Sequence, residues 1–174
     1  ETGVAVVSRA NAHVRYPCRV LLVAAMNPCR CGHLARPGRA CSRAPKCGAE
    51  YQSRISGPLL DRIDLQVETP PIPPADLQRL PPGEATAAIR TRVGAARARQ
   101  AERCARLGLP ATLNAHLEGE TLTRAAAAEP AAMELLARAA ERLDLSARGA
   151  SRVMRLARSI ADLDGEDRVA RRHV

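Results

Sequence analysis

A chain of 174 residues with no Phe, no Trp and two Tyr must build its core from aliphatic side chains, and the length suffices for one sizeable domain or a small one with an appendage. Lys and Arg number 27 against 18 Asp and Glu; this excess favours polyanionic partners, nucleic acid or nucleotide phosphate, although an Ala/Arg-rich chain also uses Arg simply to stay soluble. No apolar run reaches membrane-span length and "ETGVAVVSRANAH" lacks the basic-then-apolar order of a leader, so the sequence reads as cytoplasmic; with no initiator Met, it also reads as a piece of something longer.

The first third is β-patterned. "VAVVS" and "HVRYP", separated by "RANA", predict a hairpin, and "RVLLVAAMN" is a continuous apolar run suited to a central strand buried on both faces, as in parallel sheets. A Gly/Pro/Cys-rich loop follows from Pro28 to Gly48, then a short helical stretch around "AEYQSRIS". Gly57-Pro58 marks a new helix start, and "IDLQVETP" reads as a further strand. Prolines crowd residues 70–82, which neither a helix nor a central strand tolerates, so residues 73–83 read as a stiff linker.

From Glu84 onward the pattern is helical. An Ala/Arg-rich helix ends at Gly108, a C′ glycine. In "EPAAMELLARAAERL" the stripe is Met133, Leu136, Ala137, Ala140 and Leu143. In "LSARGASRVMRLARSIADL" it is Val153, Leu156, Ala157, Ile160 and Leu163, with Ser146 as N-cap and Arg148, Arg152 and Arg155 together on another face. "DRVARRHV" reads as part of a final helix. The fold class is therefore α/β plus all-α: an α/β part over 1–72, the linker 73–83, and a helical part over 84–174.

The most legible chemistry is sulfur. Cys29, Cys31, Cys41 and Cys47 put four thiols on one loop, with His33 as a fifth donor; in a reducing compartment such a set points to Zn²⁺ before disulfides, and a bound ion would order a long irregular loop. The other reading is four unliganded cysteines, and the C-x-C and x5 spacings are unusual for zinc. Cys18 and Cys104 read as small core residues. Asn27, at the end of the apolar run, either holds a water or phosphate at the carboxyl end of a strand or caps a turn. Taken singly, Arg62 and Arg148 are equally well surface arginines.

The order of blocks decides between these. "SRANAHVRYPCRVLLVAAMNPCRCG", "YQSRISGPLLDRIDLQVE" and "LSARGASRVMRLARSIADLDG" together resemble the magnesium chelatase-like AAA+ ATPases of the ComM (YifB) type, over nearly the whole chain. The resemblance implies the C-terminal part of an AAA+ P-loop ATPase domain, a parallel-sheet remnant with hairpin and Cys-rich insertion, followed by a helical lid bundle. It makes Asn27 the sensor 1 residue, Arg62 an arginine finger reaching a neighbouring subunit's nucleotide, Arg148 the sensor 2 arginine, and Arg9 a DNA-facing residue at a hairpin tip. It implies ATP with Mg²⁺ as cofactor, Zn²⁺ on the cysteine loop, DNA as partner, and a homo-oligomeric ring, a hexamer, working as a branch-migration helicase in DNA uptake (competence) and recombination. The family's fourth cysteine falls at Arg43, with Cys47 a possible substitute. Neither a G-x-x-x-x-G-K-[ST] loop nor the acidic Mg²⁺-holding strand occurs in these residues; the resemblance places both upstream, so the chain by itself is expected to be inactive. The alternatives are a non-enzymatic zinc-dependent DNA-binding module and a chelatase-like ATPase that inserts magnesium into a porphyrin.

Overall fold

The computed structural model describes residues 3–18, 20–34, 38, 41–60, 62–73, 75–76 and 78–174. The chain forms two compact units, Glu1–Arg54 and Ile55–Val174. In the first, strands β1 (Val4–Arg9) and β2 (Ala12–Pro17) pair antiparallel from Val4↔Pro17 to Arg9↔Ala12, around a two-residue turn at Ala10 and Asn11. The β-branched valines and the short connection account for this expected hairpin. Helix α1 (Lys46–Gln52) closes the cysteine loop, and Gly48 is buried where an added Cβ would meet the Leu34 side chain at 2.5 Å. Residues 35–37 and 39–40 of that loop, like 74 and 77 of the proline-rich stretch, lie outside the described residues.

The apolar run expected as a central strand does not become one over its described residues. Its described residues, 20–27, lack regular structure, with Leu21 91% and Val23 83% exposed, and "IDLQVETP" likewise carries no strand, with Val67 80% exposed. A strand buried on both faces needs flanking strands and covering helices, and among the described residues the one sheet is the hairpin, so no parallel pairing forms. Cys18, expected in a core, is exposed for the same reason.

The second unit is helical: α2 (Gly57–Leu60), α3 (Thr86–Arg106), α4 (Gly119–Ala126), α5 (Pro130–Arg142) and α6 (Ala147–Leu163). No helix or strand forms among the described residues of 61–85. Helix α3 stops at Gly108, whose φ of 63° is left-handed backbone that glycine adopts without strain. Helix α6 starts at Ser146, whose hydroxyl accepts from the Gly149 N–H at 3.1 Å. Cys104, Leu117, Leu122, Ala125, Ala132, Leu136, Met154, Ala157, Ala161 and Val169 form the core. Among the described residues no helix is long and apolar enough to cross a membrane.

Two apolar stripes are rotated from their expected positions. On α5, Ala132 and Leu136 are buried while Met133 and Leu143 are 48% and 65% exposed. On α6, Met154, Ala157, Arg158, Ala161 and Asp162 are buried and Leu163 is 45% exposed. On α6 the cause is polar. Arg158 and Asp162 sit one turn apart and are paired, so the α6 face that enters the core is the one carrying both. The segment "DRVARRHV" is not α-helical either; α6 ends at Leu163, and the chain turns at Gly165 and folds back to exchange backbone hydrogen bonds between Val169 and Ala126 and between Glu129 and Val169.

Candidate functional site

In the first unit the thiols converge. Cys29 and Cys31 stand 3.2 Å apart at sulfur, and Cys41 and Cys47 stand 3.1 Å apart. The sulfurs of Cys29, Cys31 and Cys47 all lie within 4.8 Å of one another. Local backbone turns set this geometry: the Gly32 N–H donates to the Cys29 carbonyl, the Ala44 N–H to the Cys41 carbonyl, and the Cys47 N–H to the Arg43 carbonyl. Arg43 points elsewhere, forming a two-pronged ion pair with Glu50 at 2.7 and 2.8 Å on the exposed side of α1. Cys47, four residues on, is the thiol that stands beside Cys41. Half-buried His33 keeps its Nδ1 buried without a hydrogen-bond partner, and its ring is not among the clustered donors.

All six cysteines are free thiols. Within the cluster the protons are unequally shared. Burial works to raise the Cys29 thiol, but hydrogen bonds from Cys31 and from backbone N–H groups at Leu34, His33 and Cys31 outweigh it and bring it down to about 7. Cys47 is pushed up to about 12, first by its hydrogen bond with Cys41, then by burial and by the neighbouring sulfurs. Thiols this close cannot all ionise together unless a cation neutralises them. The donor set therefore suits a soft divalent metal.

Asn27 also belongs to this unit, exposed at the end of the extended run and two residues before Cys29. Arg9 is the last residue of β1, exposed beside the hairpin turn. Arg62 and Arg148 belong to the second unit. Arg62 is exposed on the turn after α2, its Nη1 donating back to the Pro58 carbonyl. Arg148 is exposed in the first turn of α6, which holds no acidic residue, so its charge adds to the positive end of the helix.

Two arrangements escape sequence reasoning. The first is a buried polar cluster in the helical unit. Arg103 donates to both Asp162 oxygens, at 2.5 and 2.8 Å, and to Asn114 at 2.8 Å; Arg158, wholly buried, donates to Asp162 at 3.0 Å and to the carbonyls of Glu166 and Asp167. Asn114 completes it, donating to Asp162 and to Ser159. Burial lowers the Arg158 pKa and Asp162 opposes the shift. In sequence these arginines look like any others on solvated helices; their one signal is the i, i+4 spacing of Arg158 and Asp162. The second arrangement is a long-range one: Arg152 grips Asp64 at 2.9 Å and the Ile63 carbonyl at 2.5 Å, immediately after Arg62. Arg155 turns to the Leu117 carbonyl and Glu118, so this α6 face binds protein and is not simply solvated.

Comparison with known proteins decides the family. The model described as "Magnesium chelatase, subunit ChlI" matches residues 1–77, and that described as "Magnesium chelatase, subunit ChlI C-terminal" matches residues 83–174. The chain belongs to the magnesium chelatase-like AAA+ ATPases of the ComM/YifB type. It is 36% identical over 175 aligned residues to Competence protein ComM of Haemophilus influenzae, covering 100% of this chain and 33% of that protein. To the proteins YifB of Escherichia coli and Salmonella typhimurium it is 38% and 37% identical, again over 100% of this chain and 33% of theirs. The chain thus spans a third of the length of these relatives. Family membership implies an AAA+ fragment, and the small hairpin sheet and helices are consistent with one.

Proposed function

We propose that this chain is the sensing and trans-acting part of an ATP-driven, DNA-handling ring motor of the ComM type. The observation that carries the reading is the whole-chain match to a protein named for competence, the capacity for DNA uptake. In this reading Asn27 orients the attacking water near the γ-phosphate, Arg148 reports nucleotide state to the lid, and Arg62 completes the site of a neighbouring subunit. Phosphoryl transfer asks a protein mainly for placed positive charge, which exposed guanidinium groups on the turn after α2 and at the positive end of α6 can supply. ATP with Mg²⁺ supplies the phosphoryl group and its charge neutralisation, held by a phosphate loop that these residues do not contain. A finger acting in trans requires an oligomer, a hexameric ring, and Arg9 beside the hairpin turn is the residue assigned to DNA. The motor is assigned to the cytoplasm, and branch migration during uptake and recombination is its task. The test is ATP turnover by the full-length protein with and without branched DNA: stimulation is expected, and indifference to DNA contradicts the reading.

The domain assignment proposed is 1–72 for the end of the α/β ATPase domain, 73–83 for the linker and 84–174 for the lid. The cysteine loop is an insertion on this motor, and the four sulfurs of Cys29, Cys31, Cys41 and Cys47 would hold one Zn²⁺ in a closed site. The ion would supply fold and no open catalytic position. Purified protein is expected to contain about one equivalent of zinc, and Cys29→Ser is expected to lose both the metal and the protease resistance of residues 28–48. Metal-free protein with an equally resistant loop removes zinc from the account.

A further inference from the structure

We propose that Arg152 is a positioning residue that ties the lid helix to the segment bearing the arginine finger, so that the nucleotide state of one subunit is passed to the active site of the next. The proposal rests on the assignment of Arg62 and Arg148 above and goes beyond it by naming the mechanical link. Arg152 Nε donates to Asp64 Oδ1 at 2.9 Å and its Nη2 to the Ile63 carbonyl at 2.5 Å, two bonds from one planar fork to the two residues that follow Arg62. These partners are 88 and 89 residues away in sequence, in the segment matched by the first family model, whereas Arg152 lies in the segment matched by the second.

A structural ion pair alone is a poor account of this contact. The Asp64 side chain is 65% exposed, and an ion pair open to water on one side adds little to stability. Arg152 itself is 17% exposed, so its guanidinium is held in one place, and the carbonyl bond fixes main chain, which a surface ion pair does not. Arg152 also follows Arg148 by one helical turn and therefore shares its face of α6. A displacement of α6 that begins at Arg148 must carry Arg152 with it, and Arg152 carries the backbone next to Arg62. Arg62 itself donates to Pro58 within its own turn, so the placement of that turn decides where the guanidinium can reach.

The test is a mixed-ring assay with the full-length protein. Subunits carrying Arg62→Ala keep intact sites but receive no finger from one another; subunits with an inactivated phosphate loop cannot hydrolyse but can donate a finger. Mixing the two is expected to restore ATP turnover. Adding Arg152→Ala to the donor subunits alone is expected to cut the restored turnover by about tenfold or more, since a misplacement near 1 Å costs on that order or above, with KM for ATP nearly unchanged because the hydrolysing subunits are untouched. Arg152→Lys, which keeps the charge on a single donor nitrogen, should recover part of the loss, and Asp64→Asn in the donors should reproduce part of it. Full restoration by Arg152→Ala donors that assemble into rings overturns the proposal while leaving the finger in place. If Arg62→Ala rings turn over normally, the finger assignment fails and this proposal fails with it.

Discussion

Arg62→Ala in the full-length protein is expected to leave nucleotide binding nearly intact and to cut ATP hydrolysis by roughly a thousandfold or more. The size follows from the chemistry. The transferring phosphoryl group gains little from covalent help, so a guanidinium that meets its equatorial oxygens contributes mainly in the transition state and little to ground-state affinity. Two features of the molecule motivate the choice: Arg62 is exposed, and the segment that follows it is held by Arg152, so the backbone that carries it is fixed. The measurement is steady-state turnover beside equilibrium binding of a fluorescent ATP analogue. Normal turnover in the variant takes Arg62 out of the site.

Asp162→Ala is expected to destabilise the helical unit by about 3–5 kcal/mol, because it strands two buried guanidinium groups, Arg103 and Arg158, that share this carboxylate. Arg158 has carbonyl partners at Glu166 and Asp167, but those bonds carry no counter-charge. Asn114 loses an acceptor in the same change. The comparison is Asp167→Ala, whose side chain is 87% exposed and sits 3.7 Å from Arg99, and which is expected to stay within about 0.5 kcal/mol of the parent. Denaturant unfolding followed by helical circular dichroism measures both. A loss below about 1 kcal/mol for Asp162→Ala contradicts the view that this carboxylate neutralises the core.

The features that could be read in the sequence are those decided locally. The hairpin follows from two valine-rich segments and a tight connection, Ser146 caps α6 through a hydroxyl three residues from its partner, and Gly108 ends α3 where the backbone turns left-handed. The thiol cluster is equally local, since Cys29 to Cys47 lie on one loop. What escapes is whatever needs distant partners. The run from Val20 to Asn27 reads as a central strand, yet apolarity specifies burial only where neighbouring strands exist to provide it. On α3 the buried stripe is Ala96, Gln100, Arg103 and Cys104, half of it polar, so a hydrophobicity pattern cannot find it. The stripe on α6 shifted for a related reason: a buried Arg158 and Asp162 drew their own helix face inward. Arg152 and Asp64 are far apart in sequence, and neither residue alone announces the other. The family resemblance, in contrast, was legible from the order of three blocks, and the match over the whole chain bears it out.

The central claim is that this chain serves a motor whose fuel consumption is coupled to DNA. ATP turnover by the full-length protein, measured with and without a synthetic four-way DNA junction, tests it most directly. The account predicts turnover that rises several-fold when the junction is added and that falls away with Arg62→Ala. Turnover that is the same with and without DNA would contradict it and favour chelatase-like work, and DNA binding with no turnover at all would contradict it in favour of a binding module.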